Sequence, residues 1–158
     1  MPELYLIIQI LIIFFLIILS GFFSSSETAI TSISEPLLQK KVSEEDKKAI
    51  NAQKLLKKKE IIISAILLGN NLVNILSSAL ATNILIKSFG SIGILYSTLV
   101  MTSLIFVFAE VLPKIYAIRR PETLLILYTP LLIFFVWLLS PINFLIQRLI
   151  RFLLNYKK

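Results

Sequence analysis

Polar residues recur along three otherwise apolar stretches at intervals that place them on one face of a helix. Positions four and seven residues apart share a helix face, and all three sets follow this spacing. The sets are Ser20, Ser24, Glu27 and Thr31; Asn70, Asn74 and Ser77; and Ser103 and Glu110. An apolar environment cannot satisfy such groups, so the three stripes are predicted to face one another or a water-filled cavity.

The residue types in these stripes suit a hard metal cation. Pro113 has no N–H to donate to the carbonyl four residues earlier, that of Ala109, which leaves this carbonyl free beside the Glu110 carboxylate. Serine hydroxyls, an asparagine carbonyl oxygen, a backbone carbonyl and a carboxylate together form an all-oxygen ligand set. Mg²⁺ prefers such a set, whereas zinc and copper favour nitrogen and sulfur donors.

Helix packing is the competing interpretation for the hydroxyls and amides, because Ser and Asn side chains commonly join membrane helices. This interpretation is kept for residues off the stripes, namely Ser25, Ser26, Asn71 and Ser78. Carboxylates inside a membrane are costly and mark ion pathways, which favours a functional role for Glu110. Glu27 lies nearer the predicted membrane interface, and both roles stay open for it.

The composition indicates an integral membrane protein. Of the 158 residues, 57% are hydrophobic, more apolar surface than a soluble domain of this size can cover. The chain has no cysteine and no histidine, so it lacks thiol chemistry and the commonest general base. An intramembrane enzyme is therefore not expected. The formal net charge of +7 is interpreted as attraction to an anionic membrane face and not to nucleic acid.

Three membrane-spanning helices are predicted, over about residues 4–31, 61–86 and 92–118. The first segment lacks the basic start of a signal peptide and is treated as a retained span. Residues 35–60 contain eight lysines and are predicted to form one or two amphipathic helices at the membrane surface. By the positive-inside rule this loop is cytoplasmic, which places the N-terminus outside and the C-terminus in the cytoplasm.

Residues 121–158 are predicted to form a helical hairpin and a juxtamembrane helix. Pro130 is expected to split the apolar stretch that ends near Pro141. Lys114, Arg119 and Arg120 precede this stretch, and further basic residues follow it from Arg148 onward. Both flanks are thus assigned to the cytoplasm, so a hairpin that enters and returns is favoured. A fourth full span is the alternative, because the length suffices.

Three short blocks resemble the transmembrane domain of the CNNM/CorC family of magnesium transporters. They are residues 20–29 (SGFFSSSETA), 68–74 (LGNNLVN) and 109–114 (AEVLPK). Their order and spacing match the family, and the resemblance covers nearly the whole chain. The third block usually reads Gly-Glu-x-x-Pro-Lys, so Ala109 is a departure that bears on how closely the helices approach.

The resemblance implies a homodimer in a lipid bilayer, with three full spans per subunit and a proline-broken hairpin on the cytoplasmic side. It also implies a dehydrated Mg²⁺ bound midway across the membrane in an inward-facing cavity. Family members normally continue into a paired CBS domain that binds ATP, which the 158 residues do not include.

The function expected from the residues and the resemblance is Mg²⁺ transport across the plasma membrane. Efflux by alternating access is the favoured mechanism, with Na⁺ as a candidate coupling ion. A non-transporting scaffold that senses Mg²⁺ and regulates another carrier is the alternative. The predicted ligands are Ser20, Ser24, Asn70, Glu110 and the backbone carbonyl of Ala109. The predicted supporting residues are Glu27, Gly69, Asn74 and Pro113.

Overall fold

The structure, a computed structural model, describes residues 2–153, without the side chains at positions 2, 150, 151 and 153. No β-strand occurs in this range, and the chain is helical almost throughout, as predicted. The helices are α1 (Pro2–Ser32), α2 (Glu35–Ser43), α3 (Lys47–Leu56), α4 (Lys59–Phe89), α5 (Gly93–Leu104), α6 (Leu112–Arg119) and α7 (Pro121–Leu153). A 3₁₀ turn, Gly90–Ile92, precedes α5, and a π-helical segment, Ile105–Val111, joins α5 to α6.

The three predicted spans coincide with α1, with α4, and with the continuous helical path from α5 through the π segment to α6. The bounds differ from the prediction by at most three residues. Long runs of Ile, Leu and Phe in these stretches supply the roughly 20 apolar residues that a membrane-spanning helix needs. Many large apolar side chains on them are exposed, such as Phe14 and Ile75 at 64% and 69%. Lipid is the environment that favours such exposure.

Helices α1 and α4 run antiparallel and pack closely, and α5 folds back along α4. The reversal occurs at Gly90, whose φ of +69° is accessible to glycine with little strain. On either side of the turn, the Thr82 and Ser97 hydroxyl oxygens lie 2.7 Å apart in a hydrogen bond. This hydrogen bond holds α4 and α5 in register with each other.

The basic segment forms two helices, α2 and α3, as its composition predicts. Asp46 caps α3 by accepting a hydrogen bond from the Lys48 backbone N–H at 2.8 Å. Each helix buries small or apolar residues in the main core: Leu38 from α2, and Ala49 and Ala52 from α3. The lysines remain on the outer faces, which is the amphipathic pattern expected at a membrane surface.

Helix α7 differs from the predicted hairpin, because residues 121–153 form one helix with Pro130 and Pro141 inside it. Each proline removes one backbone hydrogen bond without ending the helix. The contacts of α7 explain its persistence: the Ser34 backbone N–H donates to Glu122 near its start, and Asn143 contacts the first turns of α4. Residues 154–158 of the predicted juxtamembrane helix lie outside the described residues.

Both of these contacts lie at the same end of the bundle, where α1 ends and α4 begins. Between them, Tyr128 and Phe135 pack against Phe22 in α1, with ring centroids 4.8 and 5.9 Å away. Phe22 lies ten residues before the end of α1, a rise of about 15 Å. Glu122 and Asn143 of α7 therefore both contact this end of the α1–α4 pair, as was predicted for the two flanks, although one helix with internal prolines replaces the two short halves that were expected.

In the part of the chain that the structure describes, three helical stretches are long and apolar enough to cross a membrane: Glu3–Ser32, Lys59–Arg119 and Pro121–Leu149. The second stretch has 61 residues and contains both α4 and the returning path from α5 to α6. The protein is thus a multi-pass membrane protein.

Candidate metal site

A direct hydrogen bond joins the first two polar stripes. The Ser20 hydroxyl donates to Asn70 Oδ1 at 2.7 Å, and Ser20 is fully buried between α1 and α4. The prediction that these stripes face one another is therefore confirmed. Ser20 and Asn70 therefore lie at the same depth in the bundle.

Two buried oxygens near this pair have no hydrogen-bond partner. They are Oγ of Ser24, which is fully buried, and Oδ1 of Asn74. Because α1 and α4 are antiparallel, Ser24 lies one turn from the Ser20–Asn70 pair in one direction and Asn74 one turn in the other. Orphaned buried oxygens are unusual and costly, so these two atoms are the strongest local sign of a bound species.

Close packing of α1 and α4 at this level depends on Gly69. A Cβ atom built on Gly69 would lie 2.7 Å from Cζ of Phe23, whose side chain is fully buried. The absence of a side chain at position 69 thus lets Phe23 fill the space beside Asn70. Gly69 therefore allows α1 and α4 to approach closely at the level of Asn70.

The third block reaches the same level through Gly21. A Cβ atom built on Gly21 would lie 3.2 Å from Cγ of Pro113 and 3.9 Å from Cα of Ala109. Ala109 is itself fully buried. The close approach that the usual glycine at position 109 would permit is therefore obtained here with alanine, with Gly21 opposite it. The three blocks meet at one depth in the bundle.

The π-helical segment changes which carbonyl Pro113 leaves without a donor. The Leu112 N–H donates to the carbonyl of Val107, five residues earlier. In this register an N–H at position 113 would pair with Phe108, whereas the prediction assumed four-residue spacing and named Ala109. The Phe108 carbonyl oxygen lies 3.5 Å from the Cβ position built on Gly21. Phe108 is thus a source of a backbone oxygen facing α1, whereas it is the Cα of Ala109 that approaches Gly21.

Glu110 lies in the π segment, is half-buried and lines a cavity of about 390 Å³ between α4, α5 and the π segment. Five hydroxyl side chains share the lining: Ser78, Thr82, Ser97, Thr98 and Thr102. Isolated π turns are frequent at functional sites. The Glu110 side chain thus belongs to a π turn and also lies beside a cavity rich in hydroxyl oxygens.

Some members of the predicted stripes do not take part in these contacts. Ser103 is exposed and donates to the Leu99 carbonyl of its own helix, and Thr31 likewise donates to Glu27 O. Ser77 donates to the backbone of Asn74 at 3.0 Å. Ser103 is also not among the described residues that line the Glu110 cavity. Glu27 is half-buried near the end of α1.

Several polar residues of the bundle were not predicted as partners. Ser78, which was assigned to helix packing, lines the Glu110 cavity together with Thr82. These two continue the four-residue spacing of Asn70 and Asn74, a signal that was present in the sequence. Asn143 was also missed: it is buried, accepts a hydrogen bond from the Ser64 hydroxyl at 2.6 Å and donates to the Ile61 carbonyl at 3.1 Å.

The donor set favours a hard cation. Within residues 2–153 no group of three or more His, Cys, Asp or Glu side chains comes together. The nitrogen and sulfur side-chain donors that transition metals favour, His and Cys, do not occur in the sequence. The level at which the three blocks meet instead offers hydroxyl, amide and backbone carbonyl oxygens. These are the ligands suited to Mg²⁺, and an ion there would provide a partner for the orphaned Ser24 Oγ. The Glu110 carboxylate lines the 390 Å³ cavity, whose described lining includes none of Ser20, Ser24 or Asn70.

The sequence is similar to two UPF0053 proteins. Over 54% of its length it is 43% identical to the UPF0053 inner membrane protein YfjD of Escherichia coli (strain K12), matching 22% of that protein. It is also 42% identical over 37% of its length to a UPF0053 protein of Haemophilus influenzae (strain ATCC 51907 / DSM 11121 / KW20 / Rd), matching 14% of that protein. The chain thus spans less than a quarter of either relative.

The match to a family of transmembrane domains is much longer. Residues 11–158 correspond to the Cyclin M transmembrane N-terminal domain, CNNM, and this range includes all three blocks and all but the first turns of α1 among the helices that hold them. The chain therefore belongs to the CNNM family.

Proposed function

We propose that this domain binds Mg²⁺ between α1, α4 and the π segment and carries it across the plasma membrane. The observation that carries the proposal is the pair of unpartnered buried oxygens, Ser24 Oγ and Asn74 Oδ1, on either side of the Ser20–Asn70 hydrogen bond. Membership of the CNNM family supports the same conclusion.

The proposed ligands are the Ser20 and Ser24 hydroxyls, Asn70 Oδ1, the Glu110 carboxylate and a backbone carbonyl of Ala109 or Phe108. Ser24 and Asn74 are separated by about two helical turns along the bundle, roughly 11 Å. One ion cannot contact both, since Mg²⁺ ligands lie at about 2.0–2.1 Å. Asn74 is therefore assigned to the route that the ion follows, with Gly69 and Pro113 shaping the site.

The proposed mechanism is alternating access by a homodimer, with efflux as the direction and Na⁺ as the candidate coupling ion. A divalent cation inside a bilayer needs compensation by negative charge and oxygen dipoles. Glu110 supplies the charge, and the stripes of α1 and α4 supply the dipoles. Opening of the site alternately to each side requires these helices to move relative to one another.

The decisive experiment compares two adjacent buried serines. Ser24 Oγ has no partner, whereas Ser25 Oγ donates to the Gly21 carbonyl at 2.7 Å. We expect Ser24→Ala to leave the thermal stability of the Mg²⁺-free protein unchanged or higher, because an unsatisfied buried group is removed. The same variant should raise the Mg²⁺ concentration for half-maximal thermal protection at least about tenfold, which corresponds to about 1.4 kcal/mol.

Ser25→Ala is the matched control and should keep the wild-type Mg²⁺ response. Equal responses of the two variants would mean that Ser24 is not a ligand. Flux of Mg²⁺ from liposomes containing the purified chain tests transport itself. Mg²⁺ protection without any flux would favour a sensing scaffold over a transporter.

A further inference from the structure

A second cavity lies at the end of the bundle where α4 begins, away from the proposed metal site. It has a volume of about 430 Å³ and lies between α3, the first turn of α4 and the middle of α7. Its walls include Ile61, Ile133 and Trp137, while Lys54 and Lys58 lie on its rim. The described lining contains two lysines and no carboxylate.

This cavity lies at the boundary between the apolar and the basic parts of the chain. Helix α4 is apolar from Ile61 onward, and four lysines with one glutamate occupy positions 54–60. Trp137 is 69% exposed, and tryptophan is enriched where membranes meet water. An apolar wall and a cationic rim are therefore within reach of a single amphiphilic molecule.

The walls of the cavity are held together by specific contacts. Asn143 of α7 donates to the Ile61 carbonyl at 3.1 Å and accepts from Ser64 at 2.6 Å. These bonds fix α7 against the first turns of α4, one helical turn beyond the residues of α7 that line the cavity. The groove is thus formed by the fold itself and does not require the ligand to create it.

We propose that this groove binds one anionic phospholipid of the membrane, with an acyl chain along Ile61, Ile133 and Trp137 and the headgroup phosphate between Lys54 and Lys58. Charge complementarity selects an anionic headgroup, since basic pockets between helices on the cytoplasmic side bind such headgroups. The apolar walls select a lipid over a free anion. The lipid would hold α3 and α7 against the start of α4.

The test uses the full chain purified in detergent, with phosphatidylglycerol as the probe and phosphatidylcholine for comparison. Native mass spectrometry counts the bound lipid, and thermal unfolding measures its effect. Lys54→Gln/Lys58→Gln should weaken phosphatidylglycerol binding at least about tenfold, because two cationic contacts to phosphate are lost. The matched control, Lys40→Gln/Lys41→Gln, removes the same charge from α2, where these lysines line a different cavity, and should bind as the wild type does.

A second variant tests the acyl seat without changing charge. Ile133 is 48% exposed, so Ile133→Asn should fold normally while weakening phosphatidylglycerol binding. An equal loss of phosphatidylglycerol binding in the two double-lysine variants would show that the effect comes from general surface charge, and this would overturn the proposal. Stabilisation by glycerol phosphate alone, equal binding of phosphatidylcholine, or unchanged binding by Ile133→Asn would each overturn it as well.

Discussion

Ser20 Oγ donates its proton to Asn70 Oδ1 at 2.7 Å, so two of the proposed ligands are hydrogen-bonded to each other. A cation bound to both oxygens would require the Ser20 hydroxyl to keep its hydrogen but turn it away from Asn70 Oδ1. Ion binding and the direct α1–α4 hydrogen bond are therefore alternatives. Ser20 consequently has two roles that can be measured separately, one without Mg²⁺ and one with it.

Ser20→Ala should destabilise the Mg²⁺-free protein, in contrast to Ser24→Ala. Hydrogen bonds between membrane helices contribute about 0.6 kcal/mol on average, and Asn70 Oδ1 would also lose its partner. We expect a loss of about 1 kcal/mol in the free energy of unfolding, measured by denaturation without Mg²⁺. A Ser20→Ala protein as stable as the Ser24→Ala protein would show that the hydrogen bond contributes nothing.

Glu110→Gln should abolish Mg²⁺ flux and thermal protection by Mg²⁺ while the protein still folds and inserts. The substitution keeps the shape of the side chain and removes the one carboxylate that lines the hydroxyl-rich cavity. Glu27→Gln is the comparison, because Glu27 lies closer to the end of α1, and it should retain most of the protection. Wild-type behaviour of Glu110→Gln in both assays would make Glu110 structural. Thermal protection of Glu110→Gln by Mg²⁺ without Mg²⁺ flux would assign Glu110 to the coupling of ion binding to transport.

Gly69→Ala should destabilise the protein by about 1–3 kcal/mol, the usual range for overpacking. The added methyl group would lie 2.7 Å from Cζ of the buried Phe23 ring. Phe23→Leu removes the far end of this ring, so the double variant should be more stable than the sum of the two single changes predicts. Additive effects, measured by thermal unfolding of all four proteins, would contradict this packing relationship.

The Asn143 contact should contribute to stability independently of Mg²⁺. Asn143→Leu removes two hydrogen bonds to the first turns of α4, for which we expect a loss of about 1–2 kcal/mol. Ser64→Ala removes one of the two and should lose about half as much. Mg²⁺ protection should be unchanged in both variants, and a change there would show that α7 contributes to the metal site.

The orientation of the protein can be tested with single cysteines at exposed positions. Ser88 lies near the Gly90 turn, Ser43 lies in the basic segment and Ser140 lies in α7, and all three are exposed. Ser88→Cys should react with impermeant reagents from outside the cell, and Ser43→Cys only from inside, because the lysines of residues 35–60 favour the cytoplasm. Ser140→Cys should react from the same side as Ser43→Cys; outside labelling of Ser140→Cys would instead mean that α7 crosses the membrane.

The features that the sequence predicted well depend on patterns within a single helix. The length of the apolar runs predicted α1 and α4. The four-residue spacing of polar residues predicted that the stripes containing Ser20 and Asn70 face each other. The continuity of α7 could not be predicted in this way, since the local preference of Pro130 is opposed by contacts made elsewhere, such as that of Asn143 with Ile61. The π segment was missed because counting in steps of 3.6 assumes a uniform helix. The pairing of Thr82 with Ser97 depends on how α5 folds back at Gly90.

The level at which the three blocks meet is not central along the helices. Ser20 lies eighteen residues after the start of α1 and twelve before its end, and Asn70 lies eleven residues after the start of α4 and nineteen before its end. These offsets correspond to about 17–18 Å on one side and about 27–29 Å on the other. A membrane potential of 100 mV changes the energy of a divalent ion by about 4.6 kcal/mol over a full crossing. With a uniform field along the helices, the shorter step to the Ser20–Asn70 level would carry roughly two fifths of that work, so the two half-steps of transport would differ in their sensitivity to voltage.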